Sequence, residues 1–325
     1  MIRTDWTIEE IREIYDLPLL ELVYRAQKTH RQHFDPLRVQ KSTLLSIKTG
    51  GCPEDCSYCP QAARYNTGVD SEKLMDLPDV VARARQAKES GSTRFCMGAA
   101  WREVKDGKQF DQVLDMVRAV KGLGLEVCTT LGMVNEDQAQ RLKEAGLYAY
   151  NHNIDTSESF YNEIISTRDF QNRIDTLQNV RKAGITVCTG GIIGLGESVN
   201  DRLEFLQRLS QFEPHPESVP INALVPVEGT PLAENEQVDP LLLIRVIATA
   251  RIIMPATMLR MSAGRLELSK EAQLLCFLAG ANSIFAGDKL LTTPNPEVSS
   301  DEALFAALGL QPMETGSDVC RTMPV

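Results

Sequence analysis

The 325-residue chain has no run of lysine or arginine, and its 34 basic against 44 acidic residues give a net charge of -10. Without a localised basic patch, attraction to a polyanion is poor, so nucleic-acid binding is excluded as a primary role. The basic start and apolar centre of a secretory signal are also missing. MIRTDWTIEEIREIYD carries charges every few residues, and the mature chain is expected to begin here. The greasiest stretch, LLLIRVIATARIIM, is broken by Arg245 and Arg251; it falls short of a bilayer span and reads as a buried helix. A cytoplasmic protein with no membrane partner is expected. No linker rich in Pro, Gly or Ser divides the chain. Histidines number four: His30, His33 and His215 sit among polar neighbours and read as solvated, and no Ser-His-Asp or His-rich zinc arrangement exists.

What is present reads as a globular α/β chain. Thr7 and Glu10 stand in capping-box spacing before Ile8, Ile11, Ile14 and Tyr15, so residues 7 to 33 are predicted to be helical. From residue 42 onward eight short β-rich runs follow: 42–48, 93–97, 125–130, 147–153, 185–190, 218–224, 257–262 and 283–287. Between them lie amphipathic helical patterns, several ending in Gly where a left-handed C-cap is expected. Eight strand-helix units predict a (β/α)8 TIM-type barrel with an N-terminal helical segment and a short flexible C-terminal tail, its chemistry at the strands' C-terminal ends. A single domain is expected over 1–310, with 1–41 as the helical extension and 311–325 disordered.

Directly after the first strand comes Gly50-Gly51-Cys52-Pro53-Glu54-Asp55-Cys56-Ser57-Tyr58-Cys59-Pro60, a C-x3-C-x2-C loop. Three thiolates can hold three corners of a cubane cluster and leave one iron open for another ligand. A structural zinc knot is the alternative, but it takes four ligands and no fourth Cys or His follows in the loop. Cys96, Cys128 and Cys188 each fall near the end of a predicted strand, where any one alone reads as core. Arg260 lies in the seventh strand, either facing solvent or turned inward toward an anion. Alternation groups Arg94 with Cys96 and Ser262 with Arg260, which suggests a polar lumen. Asn153 and Asp155 share one side of the fourth strand's mouth and can bind a diol or urea, or form an Asx turn. Thr292 and Thr293 are hydroxyl donors or a helix N-cap. Lys48 is an anion contact or an ordinary exposed lysine. Gly190-Gly191-Ile192-Ile193-Gly194-Leu195-Gly196 reverses the usual dinucleotide order, so a Rossmann loop is a weak reading. Cys276 reads as core; Cys320 lies in the polar tail, and neither is given a role.

The cysteine loop resembles the signature of the radical S-adenosylmethionine enzymes. That resemblance implies that Cys52, Cys56 and Cys59 ligate a [4Fe-4S] cluster whose open iron chelates S-adenosylmethionine, and that Tyr58 lies near the adenine. It also implies that Gly98, Ala99 and Ala100 meet the methionine, while Gly191, Ile192 and Ile193 approach the adenosine. GSTRFCMGAAW, YNHNIDTS, GGIIGLGE, ESVPIN, RMSAGR and GANSIFAGDKLLTTPNP narrow the likeness, from about residue 10 to 310, to the biotin synthase family. In that family the positions of Cys96, Cys128, Cys188 and Arg260 ligate a [2Fe-2S] cluster that supplies sulfur. The likeness further implies ribose contacts at Asn153 and Asp155, the dethiobiotin ureido ring beside Asn153 and Asn222, and the substrate carboxylate at Thr292 and Thr293, with Lys48 as a further contact. A homodimer and an electron donor such as flavodoxin or ferredoxin follow from the same likeness. No side chain is expected to act as acid or base, because the clusters carry the chemistry. A related mutase or maturase would not need the Cys96, Cys128, Cys188 and Arg260 set. A non-catalytic electron carrier or scaffold would release no 5'-deoxyadenosine.

Overall fold

The computed structural model describes residues 2–314. Its strands are β1 (Arg38–Lys48), β2 (Arg94–Ala99), β3 (Glu126–Thr130), β4 (Ala149–Asn151), β5 (Thr186–Cys188), β6 (Gly191–Ile193), β7 (Ser218–Ala223), β8 (Met258–Met261), β9 (Ser283–Phe285) and β10 (Gln311–Pro312). Every ladder is parallel, and β1 pairs with both β2 and β9, so the sheet closes on itself. Each of the eight expected runs contains an observed strand.

β6 was not expected as a separate piece. It continues β5, since Cys188 pairs with Ser218 and Gly191 with Ile221 of the same neighbour. The break has a steric cause: a Cβ at Gly190 would lie 1.9 Å from the Pro220 carbonyl oxygen, and one at Gly191 2.3 Å from that of Asp155. Side chains are absent there so that backbones can meet.

The N-terminal segment is two helices, α1 (Ile8–Tyr15) and α2 (Leu19–His33). Thr7 and Glu10 form the expected capping box, and the break falls at Pro18, which cannot donate to a preceding turn. α2 packs on the helix Pro240–Ile253. That helix is buried as expected, although Arg251 lies inside it. Its guanidinium survives burial by donating to the carbonyls of Gly280, Pro255 and Thr257 at 2.7 to 3.1 Å. Cys276 is buried core, and burial pushes its thiol up to about 12.

Three expectations need correction. His30 and His215 are buried, not solvated. Burial, with Arg251 and Arg31 nearby, pushes His30 down to about 3, while His215 Nε2 faces the Ser210 carbonyl at 2.9 Å. Residues 311 and 312, assigned to the tail, pair with Arg38 and Val39, and Met313 is buried. Residues 315–325, including Cys320, lie outside the described residues.

The principal core lies between barrel and helices, whereas Cys96, Cys128, Ala149, Phe285 and Leu290 form a separate cluster. Barrels of this kind usually fill the lumen with branched apolar side chains. Here four of the five are not branched aliphatics, and Arg94 on the same strand face as Cys96 pairs with Glu126 at 2.9 Å.

Candidate functional site

The cysteine loop begins with a turn that only glycine tolerates. Gly50 has φ +67, and a Cβ there would lie 2.4 Å from the Asp70 carbonyl oxygen. The loop then folds on itself through Cys52 N to Gln61 O and Cys59 N to Cys56 O, both 2.9 Å. Asp55 docks it on the segment before the helix Phe170–Lys182: its carboxylate accepts from Ser166 N at 3.0 Å, Ser166 Oγ at 2.5 Å, Thr167 N at 3.2 Å and Thr167 Oγ1 at 2.9 Å. Burial raises the Asp55 carboxyl, but these hydrogen bonds outweigh it and hold the group at about 2. Because the folded value lies below the ordinary 3.8, this anchor is fully present above that range and is lost only as pH falls through about 2. Asp55→Ala is expected to weaken the loop's hold on a bound group by about 2 kcal/mol, roughly thirtyfold; iron retained by the loop during gel filtration measures it.

Cys52, Cys56 and Cys59 all face one cavity. Burial pushes the Cys52 and Cys56 thiols up, and Cys59 up to about 12. They are therefore neutral at pH 7 until a metal displaces their protons.

Deeper, the register sets Cys96 beside Cys128, and Cys188 between Asn151 and Ser218. A hydrogen bond from Cys128 pulls Cys96 down to about 7 against burial, with Arg260 and Arg94 adding to the effect, and the same bond drives Cys128 up. Asn151 Nδ2 stands 3.3 Å from Cys188 Sγ. Arg260 turns inward. Its Nε donates to Ser283 Oγ at 3.0 Å, Nη2 to Gln40 Oε1 at 3.2 Å and Ser42 Oγ at 3.3 Å, and Nη1 reaches Cys188 Sγ at 3.9 Å. Among the described residues no carboxylate lies within ion-pair reach of it. A buried cation with no acid and sulfur beside it calls for an anionic partner. Also among the described residues, no three His, Cys, Asp or Glu side chains converge as a single ion requires. Cys52, Cys56, Cys59, Cys96 and Cys128 border space instead of closing on a point, which fits a multi-atom cluster and not a tetrahedral zinc at about 2.3 Å.

The cavity, about 310 Å³, joins the two sets. Tyr58 lines it with the loop cysteines, Cys96, Cys128 and Arg260 line its strand-borne part, and Ala99, Ala100, Asn153, Asp155, Ile192, Asn222, Thr292 and Thr293 complete the wall. Asn153 Oδ1 accepts from Gly190 N at 3.2 Å and Asn151 Nδ2 at 3.1 Å. Asn222 is fixed by Gly191 O and Ala263 N. Asp155, left-handed at φ 69, is ion-paired with Arg173, and its backbone joins the glycine turn. No helix starts at Thr292 or Thr293, so their N-cap alternative drops out. Five expected residues lie outside the cavity wall. Cys188 is fully buried against Asn151, Ile193 is in the core, Gly98 abuts Leu291, Gly191 meets the Asp155 backbone, and Lys48 Nζ donates to Gly50 O at 2.5 Å.

Arg173, Arg168 and Glu54 also line the cavity, and sequence reasoning missed them. Arg173 had a signal: it shares the buried face of its helix with Phe170, Ile174 and Leu177, and a charge on an apolar stripe needs a partner. Glu54 lies 3.3 Å from Arg102 and 3.6 Å from Arg168. These residues sit in loops without periodicity, so no pattern marked them.

Residues 46–209 match the family described as the Radical SAM superfamily, and 220–311 match the Biotin and Thiamin Synthesis associated domain. A biotin synthase of Cytophaga hutchinsonii is 62% identical over 314 residues, which span 97% of this chain and 93% of that one. One of Christiangramia forsetii is 63% identical over 313 residues, 96% and 86% of the two chains. The crystal structure of methylornithine synthase (PylB) superposes with TM-score 0.79 over 95% and 94% of the chains at 20% identity, a likeness of fold. Barrel, cysteine loop and cavity define a radical S-adenosylmethionine enzyme. Within that class the chain belongs to the biotin synthase family. It inserts sulfur into dethiobiotin to form biotin, and its cofactors are S-adenosylmethionine, a [4Fe-4S] cluster and a [2Fe-2S] cluster. No helix among the described residues is long and apolar enough to cross a membrane.

Proposed function

We propose that Cys52, Cys56 and Cys59 hold the [4Fe-4S] cluster and that Cys96, Cys128, Cys188 and Arg260 hold the [2Fe-2S] cluster. The observation that carries this division is one cavity bordered by thiols of both sets, with a buried guanidinium in the deeper one that has no acid partner among the described residues. When bound, the first cluster supplies the electron that cleaves S-adenosylmethionine, and the second supplies the sulfur.

The chain's own groups then bind, orient and exclude water. Tyr58, Ala99, Ala100, Asn153, Asp155 and Ile192 contact S-adenosylmethionine, with Gly98, Gly191 and Ile193 shaping the backbone behind them. Asn153 and Asn222, each fixed by backbone partners, present amides to the ureido ring. Thr292 and Thr293 bind the carboxylate. Lys48, whose Nζ donates to Gly50 O, is a further contact for the anion. Leu44, Phe285, Leu290 and Leu291 keep water from the reacting carbons. We further assign a flavodoxin- or ferredoxin-like electron donor, a cytoplasmic location, one barrel domain that spans 1–310 together with the strand Gln311–Pro312, and a homodimer. Exposed Leu20 and Tyr24, one turn apart on α2, are apolar surface a second copy would cover.

Arg260→Met tests the fourth ligand. A guanidinium must surrender a proton to bind iron, so it is a weak ligand that solvent can replace. The variant is expected to keep a [2Fe-2S] absorption band at a shifted position and about a tenth or more of the single-turnover biotin yield. An unchanged spectrum would mean that Arg260 does not touch iron; complete loss of the band would refute the weak-ligand argument. The function as a whole is tested by anaerobic incubation with dethiobiotin, S-adenosylmethionine and reductant, with mass detection of biotin and 5'-deoxyadenosine.

A further inference from the structure

Arg265, the last residue of RMSAGR, and Asn295, of TTPNP, have no part in the assignments above, yet both are buried. Arg265 Nη1 donates to the Phe285 carbonyl at 2.9 Å and Nη2 to Gln273 Oε1 at 3.1 Å. The same guanidinium is ion-paired with Asp301 of the helix Val298–Leu308. From another segment, Asn295 Nδ2 donates to Phe285 O at 3.0 Å and to Gly287 O at 2.6 Å. One carbonyl is held by two side chains that arrive from opposite sides in sequence.

What that carbonyl controls is visible on either side of it. Phe285 ends the three-residue strand β9, and its ring lies 4.7 Å from the Arg260 guanidinium carbon. Beyond it the segment 286–295 is closed at its neck by Asn295 N to Asp288 O at 2.9 Å and by the Lys289–Pro294 bridge. The tip, Leu290 to Thr293, lines the cavity. Leu291 fills the space over Gly98, where a Cβ would come within 2.5 Å of it.

We propose that Arg265 and Asn295 are positioning residues: by gripping the Phe285 carbonyl they set both the ring beside Arg260 and the segment that presents Thr292 and Thr293 to the substrate carboxylate. This rests on the assignments of Arg260 to the second cluster and of the two threonines to the substrate. The ladder stops just past Phe285, where Ala286 N donates to Ser42 O at 2.8 Å, so the exit direction of the chain beyond that point depends on what satisfies the Phe285 carbonyl. Arginine is required because its planar fork spans Phe285, Gln273 and Asp301 together, whereas lysine would keep the charge opposite Asp301 without the fork.

Arg265→Lys and Asn295→Ala, compared with the parent, test this in two states. In the chain without clusters, hydrogen–deuterium exchange over 286–295 is expected to quicken about tenfold or more, while the amides of β2 and β3 stay protected. After anaerobic loading, the KM for dethiobiotin rises about tenfold, more than kcat falls, and the [2Fe-2S] absorption band shifts. Parental exchange in both variants would overturn the proposal even if activity were lost, and so would parental KM together with a parental band. If Arg265→Lys does not fold, Asn295→Ala, which removes no charge, decides alone. A parent with no [2Fe-2S] band would instead overturn the assignment of Arg260 to the second cluster, and with it the part of the proposal that concerns the ring.

Discussion

Cys56→Ala is expected to lower 5'-deoxyadenosine production from S-adenosylmethionine by at least about a hundredfold, equivalent to some 2.7 kcal/mol of barrier. On the proposed assignment the loop offers three thiols to the [4Fe-4S] cluster, and with one removed two corners are left without protein ligands. The fold should survive, because the loop's place is set by other contacts: Asp55 on Ser166 and Thr167, and Ser57 on the Ile164 carbonyl at 2.9 Å. A circular-dichroism spectrum and thermal midpoint near the parent's, with 5'-deoxyadenosine reduced at least about a hundredfold by mass detection, are the expected pair. Parental yields of 5'-deoxyadenosine would remove Cys56 from the metal site.

Cys188→Ala should separate the two chemistries. Its sulfur is fully buried between Asn151 and Arg260 and does not line the cavity beside the loop cysteines. Reductive cleavage of S-adenosylmethionine is expected to persist within about tenfold of the parent, while biotin falls by about a hundredfold or more. Asn151 keeps three partners after the change, Thr130 Oγ1, Asn153 Oδ1 and the residue-188 carbonyl, so this side of the cavity holds its shape. Biotin formed at the parental rate would refute the second-cluster assignment.

The strands were legible because each is a short buried run framed by turn residues and amphipathic helices, and the cysteine loop because its chemistry is local in sequence. The lumen set was harder. Strand alternation groups Arg94 with Cys96 and Arg260 with Ser262, but only the resemblance brought Cys96, Cys128, Cys188 and Arg260 together, and the register then put Cys96 against Cys128. The dock between Asp55 and residues 166 and 167 was illegible, because it spans more than a hundred residues and involves no periodic element. Sequence neighbours misled at His30 and His215, whose polar flanks point elsewhere once α2 and the loop before β7 are packed. The strand at Gln311 was missed because two residues carry no pattern of their own.

Mössbauer spectroscopy of the anaerobically reconstituted chain tests the central claim, that two residue sets hold two different clusters around one cavity. The parent should show about six irons per chain, four in a [4Fe-4S] signal and two in a [2Fe-2S] signal. Cys56→Ala should lose the first signal and keep the second, and Cys188→Ala should do the reverse. Signals that fall together in both variants, or that persist in both, would contradict the division.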